Sequence, residues 1–163
     1  YTYRFETEPC ILVPRTPHGN ILQYVKRNTG LTEPDKLRLL NDAAGAIAYL
    51  HSQKPPIVHG TIHPFEILVT EQHRAALLCD FGVSRAIEEL PTGYTTQVRC
   101  GTAGYRAPEL WSGGKPTLEG DVYAYGALIL KVRDGFMDFS QSRHLIFFII
   151  HGLPLVLQPN RPF

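Results

Sequence analysis

One segment constrains the fold more than any other. From Leu37 through Leu40, Ala44, Ile47 and Ala48 to His51, largely apolar residues recur at threes and fours. That spacing stacks them along one face of an α-helix. Its start is marked: Thr32 is a good N-cap, Pro34 suits the first turn, and Asp35 stands where a capping acid reaches back. Lys54-Pro55-Pro56 stops it. Three short apolar runs follow, Ile57-Val58-His59, Ile67-Leu68-Val69 and Ala75 to Cys79, with polar turns such as Thr70 to His73 between them. Strands this short cannot support a domain and must lie against a helix. The helix after Thr32 is the obvious candidate.

The flanks are organised around that unit. Residues 10–13 read as a short buried strand, the prolines and glycine of residues 14–19 as a turn, and Asn20 as the cap of a short helix from Ile21 to Lys26. Residues 84–105 have little periodicity and read as a long loop, of the length that in a compact domain serves function or moves. A second helix covers Leu118 to Val132, with Val122, Tyr125, Leu128, Ile129 and Val132 on its apolar face. A third helical candidate covers 140–150, and the prolines after it predict an extended tail. A mainly helical body carrying a few short β hairpins and a long loop is lopsided. It reads as one lobe of a larger enzyme.

Composition narrows the partners. The 163 residues are enough for one core but not for two ordinary domains, and 44% apolar content excludes a wholly disordered chain. The formal charge is +1 and the longest basic run is Lys26-Arg27, which argues against nucleic acid as a partner. Cys10, Cys79 and Cys100 are odd in number and widely spaced, which fits a reducing, cytoplasmic setting better than a disulfide scaffold. The apolar run Leu145 to Ile150 is broken soon afterwards by His151-Gly152 and Pro154, too short for a membrane span. A first residue that is Tyr1, not Met, implies a processed chain or a piece of a longer one.

The chemistry-bearing signals come in order along the chain. Asp80-Phe81-Gly82 follows the strand ending at Cys79, so a carboxylate is presented at a strand end beside a glycine that frees the backbone. Gly101-Thr102, Tyr105 and Ala107-Pro108-Glu109 come next, then Asp121-Val122-Tyr123-Ala124-Tyr125-Gly126, while the His59 segment lies upstream. Four ordered motifs leave little room for chance. Together they resemble the eukaryotic protein kinase catalytic domain, in particular its C-terminal lobe, and look nearest to the tyrosine-kinase-like serine/threonine kinases of fungi.

The resemblance implies a protein-kinase-like fold, a C-lobe with a hinge remnant and an N-lobe largely absent. Residues 1–18 would be the remnant of the last N-lobe strand and hinge. Residues 19–163 would be the C-lobe, truncated before its last helices. It implies ATP and Mg²⁺ as cofactors, with Asp80 and Glu66 as metal ligands and Leu12 and Val13 along the nucleotide's hinge edge. It also implies a protein substrate or partner, and a role for Asp121 in bonding the backbone of the catalytic loop, beside its simpler reading as an acid in a helix's first turn. His59 would help to hold the catalytic loop and the Asp80 region.

The catalytic loop departs from that pattern. The family has His-Arg-Asp-Leu-Lys-Pro-x-Asn-Ile-Leu, whereas this chain reads His59-Gly60-Thr61-Ile62-His63-Pro64-Phe65-Glu66-Ile67-Leu68. Pro64, Ile67 and Leu68 hold the register. The family's catalytic Asp therefore falls on Thr61, its phosphate-facing Lys on His63 and its metal-binding Asn on Glu66. A threonine hydroxyl cannot replace a carboxylate of pKa about 4 that orients the substrate hydroxyl and accepts its proton. Imidazole is cationic only part of the time near neutrality. Glu66 is longer than Asn, and negative. No G-x-G-x-x-G and no strand lysine occur in the sequence.

Two functions follow as expectations: ATP-dependent Ser/Thr phosphorylation in impaired form, or a pseudokinase that binds another protein. A fragment without function is the third outcome. His59 and His63 share the spacing of a zinc helix, but Pro64 and the missing intervening glutamate remove that reading. Thr92, Tyr94, Thr95 and Thr96 are modification candidates in the long loop, with Arg85, Arg99 and Arg106 as possible partners for a phosphate.

Overall fold

The computed structural model describes residues 2–5, 8–11, 16–71, 75–82, 84–87 and 102–134. Leu12 and Val13, the threonine-rich part of the long loop, the helix expected at 140–150 and the extended tail lie outside the described residues.

Local chemistry sets the helices. Helix α1 (Ile21–Arg27) starts at Asn20, whose side chain accepts from the Gln23 N–H at 3.0 Å while Gln23 Oε1 accepts from the Asn20 N–H at 3.2 Å. Helix α2 (Glu33–His51) opens with the expected box: Asp35 Oδ2 accepts from the Thr32 N–H at 3.0 Å. Each box satisfies two backbone donors that a helix start would leave bare. Helix α3 (Leu118–Asp134) opens on Thr117, whose Oγ1 accepts from the Gly120 N–H at 3.0 Å. No helix among the described residues is long and apolar enough to cross a membrane.

The strands are short and antiparallel. Strands β1 (Thr2–Phe5) and β2 (Glu8–Ile11) pair with Thr2 opposite Ile11, so β2 begins two residues before the strand expected at 10–13 and has a partner the sequence did not announce. Strands β3 (Ile57–Val58), β4 (Ile67–Val69) and β5 (Ala76–Leu78) fall where the apolar runs predict. β4 and β5 form a hairpin, Ile67 opposite Leu78. β3 pairs instead with β6 (Arg85–Ala86), inside the stretch expected to be loop. Two residues carry no readable period, so only the tertiary placement of β3 reveals that strand.

The core is made where α1, α2 and α3 meet the β4–β5 hairpin, and it includes Ile21, Tyr24, Leu40, Ile47, Ile67 and Leu128. On α2 the buried face is Leu39, Leu40, Ala43, Ile47 and Leu50, whereas Leu37 is 57% exposed. The face expected from Leu37, Ala48 and His51 is thus rotated. Leucines at 37, 39 and 40 and alanines at 43, 44, 46 and 48 satisfy the helical period on more than one side. The packing of β5, β3 and α3 against α2 selects between them. On α3 Ala124 and Ala127 are buried with Leu128 and Val132, whereas Val122, expected on the apolar face, is exposed. Tyr125 Oη adds a hydrogen bond of 2.9 Å to the Leu40 carbonyl, fastening α3 to α2.

Candidate active-site remnant

Residues 61–69 alternate between the core and the surface. Ile62, Pro64, Ile67 and Val69 are buried, while Thr61, His63 and Glu66 are partly exposed. Burial of Ile62 and Pro64 pins the loop, and the residues between them are turned outward. The apolar members of the motif thus place the polar ones.

Asp121 closes the loop from behind. Its side chain is 1% exposed, and it accepts from the His59 N–H at 2.8 Å (Oδ2) and the Gly60 N–H at 2.8 Å (Oδ1). Of the two readings of Asp121, the bond to the loop backbone is realised. Gly60 sits at φ 85°, in the left-handed region where glycine has no Cβ penalty, so an ordinary side chain there would be strained. A third partner is new. His51 Nε2, at the end of α2, lies 3.0 Å from Asp121 Oδ2 and donates to it. His51 is seventy positions from Asp121 in sequence. Nothing local marks it, which is why it read only as the last member of an apolar face.

His59 is fully buried and joins the loop to the strand end that carries Asp80. Its Nε2 lies 2.9 Å from the Cys79 carbonyl, which can only accept, so that nitrogen carries the proton. Nδ1 then accepts, and Thr61 offers both its N–H and its hydroxyl at 3.4 Å. Phe81 stands edge-on to the same ring at 5.1 Å, and Ser84 Oγ donates to the His59 carbonyl at 3.0 Å. Thr61 and the Asp80 segment therefore face each other across one imidazole.

Asp80 is exposed, at φ 58°, a conformation Asp tolerates better than most residues, and its Oδ1 accepts from the Gly82 N–H at 3.1 Å. His63 and Glu66 are turned toward each other, with His63 Nε2 3.3 Å from Glu66 Oε1. His63 also caps the short 3₁₀ turn Pro64–Glu66, its Nδ1 accepting from the Phe65 N–H at 3.2 Å. Burial pushes the His63 pKa down, with Glu66 and Asp80 pulling the other way and His59 adding to the fall. A ring that accepts at Nδ1 suits that direction.

Cys79 Sγ donates to Glu66 Oε2 at 3.4 Å, and its thiol is pushed up to about 12, chiefly by burial and then by Glu66. Such a thiol is a packing group and a poor nucleophile. Glu109 is exposed and solvated.

The fit of a metal can be judged from the donors. The resemblance implies Mg²⁺ held by Asp80 and Glu66. Both Glu66 oxygens are engaged, by His63 and by Cys79, so Glu66 would have to surrender two contacts to reach a cation. Among the described residues, no group of three or more His, Cys, Asp or Glu is arranged to hold a metal. Asp80 is left as a presented carboxylate, and Glu66 as it stands is turned to His63 and Cys79 instead of joining it.

A mainly helical body, a loop hung from a buried helix aspartate and an Asp-Phe-Gly segment at a strand end define a protein-kinase-like architecture. The chain belongs to the protein kinase domain family, which it matches over residues 1–156. It is similar to a putative serine/threonine-protein kinase/receptor of Acanthamoeba polyphaga mimivirus, 38% identical over 137 residues, which cover 83% of this chain and 8% of that protein. It is also similar to two Arabidopsis thaliana proteins. Wall-associated receptor kinase-like 10 is 37% identical, with 85% of this chain and 18% of that protein covered. Calmodulin-binding receptor-like cytoplasmic kinase 2 is 34% identical, with 83% and 34% covered. The chain thus spans between 8% and 34% of the length of these relatives.

Proposed function

We propose that this chain is a pseudokinase-type domain, which acts by binding another protein through its helical lobe rather than by transferring phosphate. The observation that carries the reading is Thr61. At the position matched to the family's acid stands a hydroxyl held against His59 Nδ1. Phosphoryl transfer rests on positioned charge and a group that orients the attacking hydroxyl, so a neutral hydroxyl forfeits orders of magnitude in rate. His63 and Glu66, at the other two altered positions, are turned to each other.

On this reading residues 1–18 are the hinge remnant and 19–163 the lobe, in a cytoplasmic protein. Gly60 beside His59 supports the tyrosine-kinase-like branch, including its fungal members. The second reading is ATP-dependent Ser/Thr phosphorylation, favoured by the presented carboxylate of Asp80 and by the kinase names of the relatives. By resemblance it would give Thr61, His63 and His59 catalytic places, Asp80 and Glu66 the metal, and Leu12 and Val13 the nucleotide edge.

The deciding experiment incubates the chain with Mg²⁺ and γ-labelled ATP, with and without a generic protein substrate. No label above background is expected, and Mg²⁺-ATP leaves the melting temperature unchanged. Transfer that Asp80→Ala abolishes would refute the proposal in favour of the second reading.

A further inference from the structure

His63 and Glu66, two of the altered loop positions, have partners of their own. His63 and Glu66 are only 12% and 16% exposed in their side chains, and they meet at 3.3 Å. Glu66 then reaches across to Cys79 at the end of the β4–β5 hairpin: its Oε2 accepts from the thiol at 3.4 Å, and its carbonyl accepts from the Cys79 N–H at 2.9 Å. The opposite side of His63 is closed by its Nδ1 bond to the Phe65 N–H, with the rings of Phe65 and Tyr105 at 5.7 and 6.2 Å. Both nitrogens of the His63 ring and both oxygens of the Glu66 carboxylate thereby lie against groups of the protein itself.

We infer that His63, Glu66 and Cys79 form an internal clamp, which fixes the strand end carrying Asp80 to the loop without any bound metal or nucleotide and masks the Cys79 thiol. The inference rests on the proposed loss of phosphoryl transfer, since a Glu66 committed to this clamp is not available to a cation. Glu66 is the central positioning residue. His63 orients one of its oxygens, and the thiol takes the other. The two links from Glu66 to Cys79, one from side chain and one from backbone, set where residue 80 leaves the strand.

The test measures modification of Cys79 by a neutral maleimide, followed peptide by peptide by mass spectrometry, together with hydrogen exchange at the Cys79 amide. Glu66→Ala is expected to speed Cys79 modification at least about fivefold and to raise its amide exchange. Glu66→Gln keeps an acceptor and falls between. His63→Ala also speeds modification, and the double variant His63→Ala/Glu66→Ala is no faster than Glu66→Ala alone, as coupled neighbours require. Mg²⁺ alone leaves the wild-type rate unchanged.

Unaltered modification in both Glu66 variants overturns the clamp, and so does a wild-type rate that changes on adding Mg²⁺. Exchange in α2 reports whether a variant has folded, and Glu66→Gln carries the test if Glu66→Ala has not. The labelled-ATP assay is separate, so an inactive chain without a clamp is distinguishable from an active one.

Discussion

Removing the Asp121 carboxylate tests how the loop is held. Asp121→Ala strips the acceptor from two buried N–H groups, those of His59 and Gly60, each bonded at 2.8 Å. It also strips the acceptor from His51 Nε2 at 3.0 Å. A buried donor left bare costs about 1–3 kcal/mol, and bonds to a charged acceptor stand at the upper end. Two such donors, with a partial contribution from half-buried His51, give a loss of about 3–5 kcal/mol. That is a large share of the roughly 5–15 kcal/mol that stabilises an ordinary domain. Asp121→Asn keeps one acceptor but turns an NH₂ toward the other donor, for a loss of about 2–3 kcal/mol. Urea unfolding reads the difference: with a slope of about 2 kcal/mol/M, the Ala variant's midpoint falls by about 1.5–2.5 M. Hydrogen exchange at His59 and Gly60 should rise in step. A loss under about 1 kcal/mol with protected amides at 59 and 60 would show that Asp121 does not hold the loop.

Three further outcomes follow from single contacts. Thr32→Ala removes half of the α2 capping box and costs about 1 kcal/mol in urea unfolding, while Thr32→Ser costs little. Tyr125→Phe deletes the bond to the Leu40 carbonyl and costs about 1 kcal/mol, with exchange rising where α2 meets α3. For His63 the folded pKa lies below its ordinary 6.5, so the unfolded chain takes up the proton first as pH falls. Its contribution is fully present above about 6.5 and is lost on acidification toward the lower folded value. Comparing unfolding midpoints at neutral and mildly acidic pH, His63→Asn, which can still cap, should show a shallower loss than wild type. An equal slope in both would remove His63 as the cause.

The loop shows what was legible in sequence. Pro64, Ile67 and Leu68 keep the motif in register, and the register locates Thr61, His63 and Glu66 before any coordinates exist. Helix starts were equally legible, because Asn20 with Gln23 and Thr32 with Asp35 act over three residues. What those side chains touch was not legible. Glu66 read as a candidate metal ligand, yet its oxygens meet His63 and Cys79. The thiol lies thirteen positions away, across a hairpin.

Sequence alone determined the family, the helices α1 to α3, the strands β3 to β5 and the caps at Asn20 and Thr32, since each is a matter of residue identity or of neighbours within a turn. Tertiary structure alone decided which side of α2 faces the core, that β3 pairs with β6, and that His51 and the loop converge on Asp121. The physical reason is distance along the chain. A helical period admits more than one apolar stripe, and a buried carboxylate takes partners sixty to seventy residues away, so only packing of the whole lobe can choose among them.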